Sequence, residues 1–88
     1  MAEPKDKIIL SPNPTKNKAE VLYELTESGL VQLLVTDISG RELFIFENKN
    51  TSGKFEIDLS LLPEGYYPVT IVQNGAIIYS SKLIKNWF

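Results

Sequence analysis

The fold is decided by residues 62 to 85, which read Leu62-Pro63-Glu64-Gly65-Tyr66-Tyr67-Pro68-Val69-Thr70-Ile71-Val72-Gln73-Asn74-Gly75-Ala76-Ile77-Ile78-Tyr79-Ser80-Ser81-Lys82-Leu83-Ile84-Lys85. Asn74-Gly75 is a strong hairpin signal, because a type I′ turn needs positive φ at both central residues. It joins a strand from Tyr66 to Gln73, whose Tyr67, Val69 and Ile71 share a face, to a last strand from Ala76 to about Lys85. Leu61-Leu62-Pro63-Glu64-Gly65 crosses into this hairpin from upstream. A Gly-x-Tyr opening a late strand predicts a tyrosine corner, in which the Tyr67 ring is buried and its hydroxyl bonds a backbone group of the crossover.

Outward from that hairpin the period stays at two. Phe55, Ile57 and Leu59 alternate with Glu56 and Asp58, and Val31, Leu33 and Val35 with Gln32 and Thr36. Val21, Tyr23 and Leu25 alternate with Glu20, Leu22 and Glu24, while Leu43-Phe44-Ile45-Phe46 is apolar on both faces. Glu27-Ser28-Gly29, Asp37-Ile38-Ser39-Gly40 and the polar run from Asn48 to Gly53 punctuate these segments. Ile8-Ile9-Leu10 is stopped by Ser11-Pro12-Asn13-Pro14, an extended or turned segment with two backbone donors removed. About seven short strands at roughly 8–12-residue spacing, with no sustained helical period, predict an all-β, immunoglobulin-like antiparallel β-sandwich. A small open barrel is the alternative.

The 88 residues support one small domain, expected over residues 8–88, with 1–7 a linker or an added leader. Hydrophobic residues make up 43% and charged residues 23% of the chain, too apolar for disorder. With nine basic and eleven acidic residues interspersed, there is no cationic field for nucleic acid. The chain has no cysteine, which removes disulfides, thiol catalysis and zinc–thiolate sites. It has no histidine, the commonest general base near neutrality. No apolar run approaches the roughly 20 residues of a membrane helix. No cofactor is expected.

The remaining chemical candidates are weak. Without histidine only a Ser–Lys arrangement could activate one of the seven serines, and Ser80, Ser81 and Lys82 lie where neighbouring side chains alternate between faces. Asp37 and Glu27 could contribute to a calcium site, but no Asp-x-Asp series accompanies them, and Asp37 capping its own turn is the preferred reading. Asn50-Thr51-Ser52 fits a glycosylation acceptor, a three-residue pattern common by chance. Tyr66, Phe44 and Phe46 on outer faces would form a carbohydrate platform, although aromatics at strand spacing more often pack a core.

Four motifs in order carry a resemblance. They are Ser11-Pro12-Asn13-Pro14, Asp37-Ile38-Ser39-Gly40-Arg41, Leu62-Pro63-Glu64-Gly65-Tyr66-Tyr67 and the closing Lys82-Leu83-Ile84-Lys85. From about Ile8 to Lys85 the chain resembles the type A C-terminal sorting domain of the type IX (Por) secretion system of Bacteroidetes. The resemblance implies a non-catalytic export address at the end of a secreted or cell-surface protein. Its partners would be the outer-membrane translocon, a shuttle and a sortase that removes the domain in many members. It also implies a fused upstream cargo passing through the periplasm, so that the 88 residues are a fragment with Met1 added.

Position by position, Pro12, Asn13 and Pro14 match the opening motif, and Gly40 and Arg41 the turn. Leu62, Gly65 and Tyr67 match the crossover, all of them mainly structural. Lys82, Leu83 and Lys85 match the closing strand that carries the sorting signal in the family. Lys82 and Lys85 are three apart, so a regular strand places them on opposite faces. Pro68 departs from the family pattern, and since proline cannot donate to a ladder the strand is expected to be bulged or unpaired there. Trp87 is expected to pack over the sandwich end, with Phe88 undecided between packing and recognition. A plain spacer or a carbohydrate-binding accessory module of a secreted hydrolase is the alternative function.

Overall fold

A computed structural model describes residues 6–86. Seven strands form: β1 (Lys7–Ser11), β2 (Lys18–Glu24), β3 (Val31–Thr36), β4 (Glu42–Asn48), β5 (Ser52–Asp58), β6 (Gly65–Gln73) and β7 (Ala76–Lys85). They make two antiparallel sheets, β1-β2-β5 and β4-β3-β6-β7. This is the immunoglobulin-like sandwich read from the spacing, with β4 paired to β3 at the edge of the larger sheet. The expectations about Trp87 and Phe88 lie outside the described residues.

Alternation determines the core. Val21, Tyr23, Phe55 and Ile57 from one sheet, with Leu59 just beyond β5, meet Val31, Leu33, Val35, Val69, Ile71 and Leu83 from the other, all buried. Charged and polar residues take most of the alternate positions, with Leu22 an exposed exception. Phe44 and Phe46 also turn inward, Phe46 with its ring 5.8 Å from that of Phe55, and both pack against the core. Phe44 and Phe46 thus take the core-packing alternative weighed against a carbohydrate platform with Tyr66. Only Tyr66 of the three is exposed.

The turns follow their sequence chemistry. Asn74 and Gly75 have φ of 51° and 82°, the type I′ requirement at both positions. Gly40, at φ 91°, closes a turn held by the Asp37 side chain.

Pro68 does not break its strand. It pairs in register with Lys82 of β7, and the irregularity in that ladder falls at Ile71/Val72 instead. The missing donor is accommodated because β3 pairing ends at Val35↔Val69, one residue before Pro68. The expected bulge is therefore corrected, whereas the expected unpaired position is found on one side only: Pro68 pairs with β7 and sits where β3 has already stopped.

Candidate functional site

Three of the four motifs meet at one end of the sandwich, and the fourth turn lies beside them. Antiparallel pairing brings the end of β7 to the start of β6 (Gly65↔Lys85), and the start of β2 to the end of β5 (Lys18↔Asp58). β1 runs towards the same end, where Ser11 pairs with Glu20. The chain comes in at the opposite end, where Asp6 Oδ1 accepts hydrogen bonds from the Thr26 amide and hydroxyl.

Asn13 is the centre of the opening motif. Its Oδ1 accepts the Ile84 amide hydrogen at 2.9 Å, and its Nδ2 donates to the Lys82 carbonyl at 2.7 Å. The side-chain amide thus stands in for the peptide group of a neighbouring strand on the outer edge of β7. The prolines on both sides of Asn13 have no backbone donors of their own, and both follow cis peptide bonds. Next in the chain, the Thr15 amide donates to the Ile84 carbonyl at 2.8 Å, and the Asn86 amide donates to the Thr15 carbonyl at 2.9 Å. Thr15 is buried, and its hydroxyl bonds the Lys18 carbonyl.

The closing strand divides by face, as the three-residue spacing predicts. Leu83 is fully buried in the core. Lys85, on the same side, reaches past the sheet end and donates to the carbonyls of Leu59 (2.7 Å) and Leu62. Lys82 lies on the outer face with its ammonium 5.8 Å from the Tyr66 ring centroid, a cation–π contact. Ser81 is half-buried while Lys82 points outward, so the two do not form a catalytic pair.

The crossover between β5 and β6 is held from two strands. The Tyr67 hydroxyl donates to the Pro63 carbonyl, the tyrosine corner expected from Gly-x-Tyr. Lys85 satisfies carbonyls on the preceding turn, where the Leu62 amide bonds the Leu59 carbonyl. Gly65 takes φ 150° at the start of β6. Leu62 is half-buried at the edge of the core.

Asp37 serves its own turn. Oδ1 accepts from the Ser39 amide and hydroxyl and the Arg41 amide, and Oδ2 is 3.1 Å from Arg41 Nε. The Ser39 hydroxyl bond and then the Arg41 amide hold this carboxyl below the usual carboxylate range. Asp58 is lowered in the same way by Ser60. Tyr67 is raised, chiefly by burial and further by the nearby Asp37 charge. No group of three metal-ligating side chains occurs among the described residues.

Between these elements the surface carries two open clefts of about 440 and 380 Å³, which share Lys16, Asn17 and Asn86. Pro12, Pro14 and Lys18 flank one, and Leu62, Glu64 and Lys85 the other. Sequence reading placed Asn13 in an extended or turned, mainly structural motif without a partner, and it missed Thr15 altogether. The available signal for Asn13 was an amide side chain between two residues without donors, beside a strand edge that needed partners.

Residues 10–86 match the model of the family described as the secretion system C-terminal sorting domain. Karilysin of Tannerella forsythia is 36% identical over an 86-residue alignment that covers 86% of this chain and 18% of that protein. The chain therefore spans less than a fifth of the length of this relative. Given the order of the motifs, the sandwich that joins them and the match across nearly the whole chain, the protein belongs to the family of type IX secretion-system C-terminal sorting domains.

Proposed function

We propose that this domain is a non-catalytic address that directs an attached upstream cargo from the periplasm through the outer membrane. The surface read by the translocon and its shuttle is the end built from Asn13–Asn17, Leu62–Glu64 and Lys82–Asn86. A sortase acting after translocation would remove the domain from its cargo. The observation that carries this reading is the meeting of the opening, crossover and closing motifs at the end opposite the incoming chain. That placement leaves the motif end accessible when a folded cargo is joined through Asp6.

Within this surface the three closing-strand residues have different parts. Lys82 is exposed and available for direct contact. Leu83 anchors the strand in the core, and Lys85 holds the Leu59–Leu62 turn that walls one cleft. Leu83 and Lys85 thus act through the shape of the surface. A passenger carrying a periplasmic signal, fused to this domain in a host with the secretion system, should appear outside the cell. Deleting Lys82–Phe88 should leave it in the periplasm, and unchanged export would overturn the proposal.

A further inference from the structure

The site just described does not exist in any single segment of the chain. Asn13 and Ile84 are 71 residues apart, yet one side chain supplies two hydrogen bonds at the outer edge of the closing strand. The next contacts, from Thr15 to Ile84 and from Asn86 to Thr15, again join the first part of the domain to the last. In a chain folded everywhere except this clasp, β7 would still pair with β6, and Leu83 would still have a core to enter. What would be missing is the outer edge and the wall of the cleft between Pro14 and Asn86. The clasp is exposed at Asn13 and rests on hydrogen bonds, so it can open locally while the core stays closed.

We propose that Asn13 is a positioning residue that makes the export signal conditional on completed folding. The secretion machinery reads the closing strand only when the opening motif is clasped to it, so a domain with a loose first segment is withheld. This rests on the sorting reading above. It adds that the signal is the joined state of the two termini, and that the closing strand alone is insufficient.

The test uses the whole 88-residue chain, alone and fused to a passenger. Asn13→Ala removes both bonds. Asn13→Asp keeps an acceptor for the Ile84 amide but sets an oxygen against the Lys82 carbonyl. In Asn13→Ala, hydrogen exchange at the Ile84 amide should quicken by about tenfold or more, as loss of its hydrogen bond predicts. In Asn13→Asp, where only the repulsion from the Lys82 carbonyl opposes the retained acceptor, it should quicken by less. The Val69 and Ile71 amides should exchange no faster than in a control, Ile57→Val, that lowers the melting temperature equally but leaves the clasp intact.

Export should then fall severalfold for both Asn13 variants and stay near the parent level for Ile57→Val. Normal export of a variant with a released Ile84 amide would overturn the inference, as would an equal fall in Ile57→Val. An Ile84 amide that exchanges at the parent rate in both variants would overturn it too. Deletion of Lys82–Phe88 runs in parallel: if that deletion is exported, the sorting reading itself fails, whereas its retention with normal Asn13 export refutes only the clasp.

Discussion

Asn13 Oδ1 accepts the Ile84 amide hydrogen at 2.9 Å, so the opening motif of the domain is bonded to its closing strand across the full length of the sequence between them. Around this contact, Lys85 and Tyr67 tie down the crossover that precedes β6. One end of the sandwich is thus built by side chains acting on backbone groups. Each can be removed singly.

Two tyrosines in the same core should answer differently to the same substitution. The Tyr67 hydroxyl donates to Pro63, whereas the buried Tyr23 hydroxyl has no partner among the described residues. Tyr67→Phe should lower stability by about 1–2 kcal/mol, the cost of an orphaned carbonyl plus the bond lost. Tyr23→Phe should be neutral or stabilising by up to about 1 kcal/mol, since it removes a desolvated group that nothing satisfies. Urea unfolding of the two variants checks the contrast, and equal losses would refute it.

The two lysines of the closing motif should separate in the same way. Lys85→Met keeps the apolar stem but frees the Leu59 and Leu62 carbonyls, and should cost about 1–3 kcal/mol. Lys82→Met loses only an exposed cation–π contact and should cost less than about 1 kcal/mol. Export of a fused passenger should be reduced by both. For Lys82→Met the loss should appear without a change in unfolding midpoint.

Most of the fold was legible because a period of two leaves little freedom once one face is buried. Val31, Leu33 and Val35, or Tyr67, Val69 and Ile71, could be placed inside from their alternation alone. Tyr67 was legible because Gly-x-Tyr is a local arrangement, and Asn74-Gly75 because turn geometry is set by two residues. Phe44 and Phe46 were ambiguous because their strand is apolar on both faces, so the pattern does not say which face is inside. At Pro68 the outcome depended on where β3 stops, which is a property of another strand. The clasp was illegible for the same reason. Asn13 acts on residues 69 and 71 positions away, and no local pattern encodes that distance.

The pH dependence of stability should be flat through neutrality and fall at both extremes. With no histidine, no side chain of ordinary pKa titrates between about pH 6 and 8. Asp37 and Asp58 have carboxyls lowered by bonds from Ser39 and Ser60. A lowered acid stabilises the fold above its unfolded value and loses that contribution as pH falls through the folded one, so the decline should begin near about pH 4. Tyr23 and Tyr67 are raised by burial, so their contribution is present below the unfolded value and lost as pH rises past about 10. Thermal unfolding across this range checks both signs. A maximum confined to a narrow window near neutrality would contradict them.

β4 is an edge strand, and Ile45 within it is 56% exposed. Such an edge invites pairing with another chain, and an inserted charge discourages it. Ile45→Lys should therefore reduce self-association at high concentration in sedimentation experiments, with the melting temperature changed by no more than a few degrees. Unchanged association would show that this edge is not the route.

The central claim is that the folded domain is an address read by the outer-membrane export machinery. It is tested most directly by the location of a signal-bearing passenger fused to the 88 residues, compared between a host with the type IX translocon and the same host lacking it. The passenger should be outside the cell in the first host and in the periplasm in the second. The same location in both hosts would contradict the account.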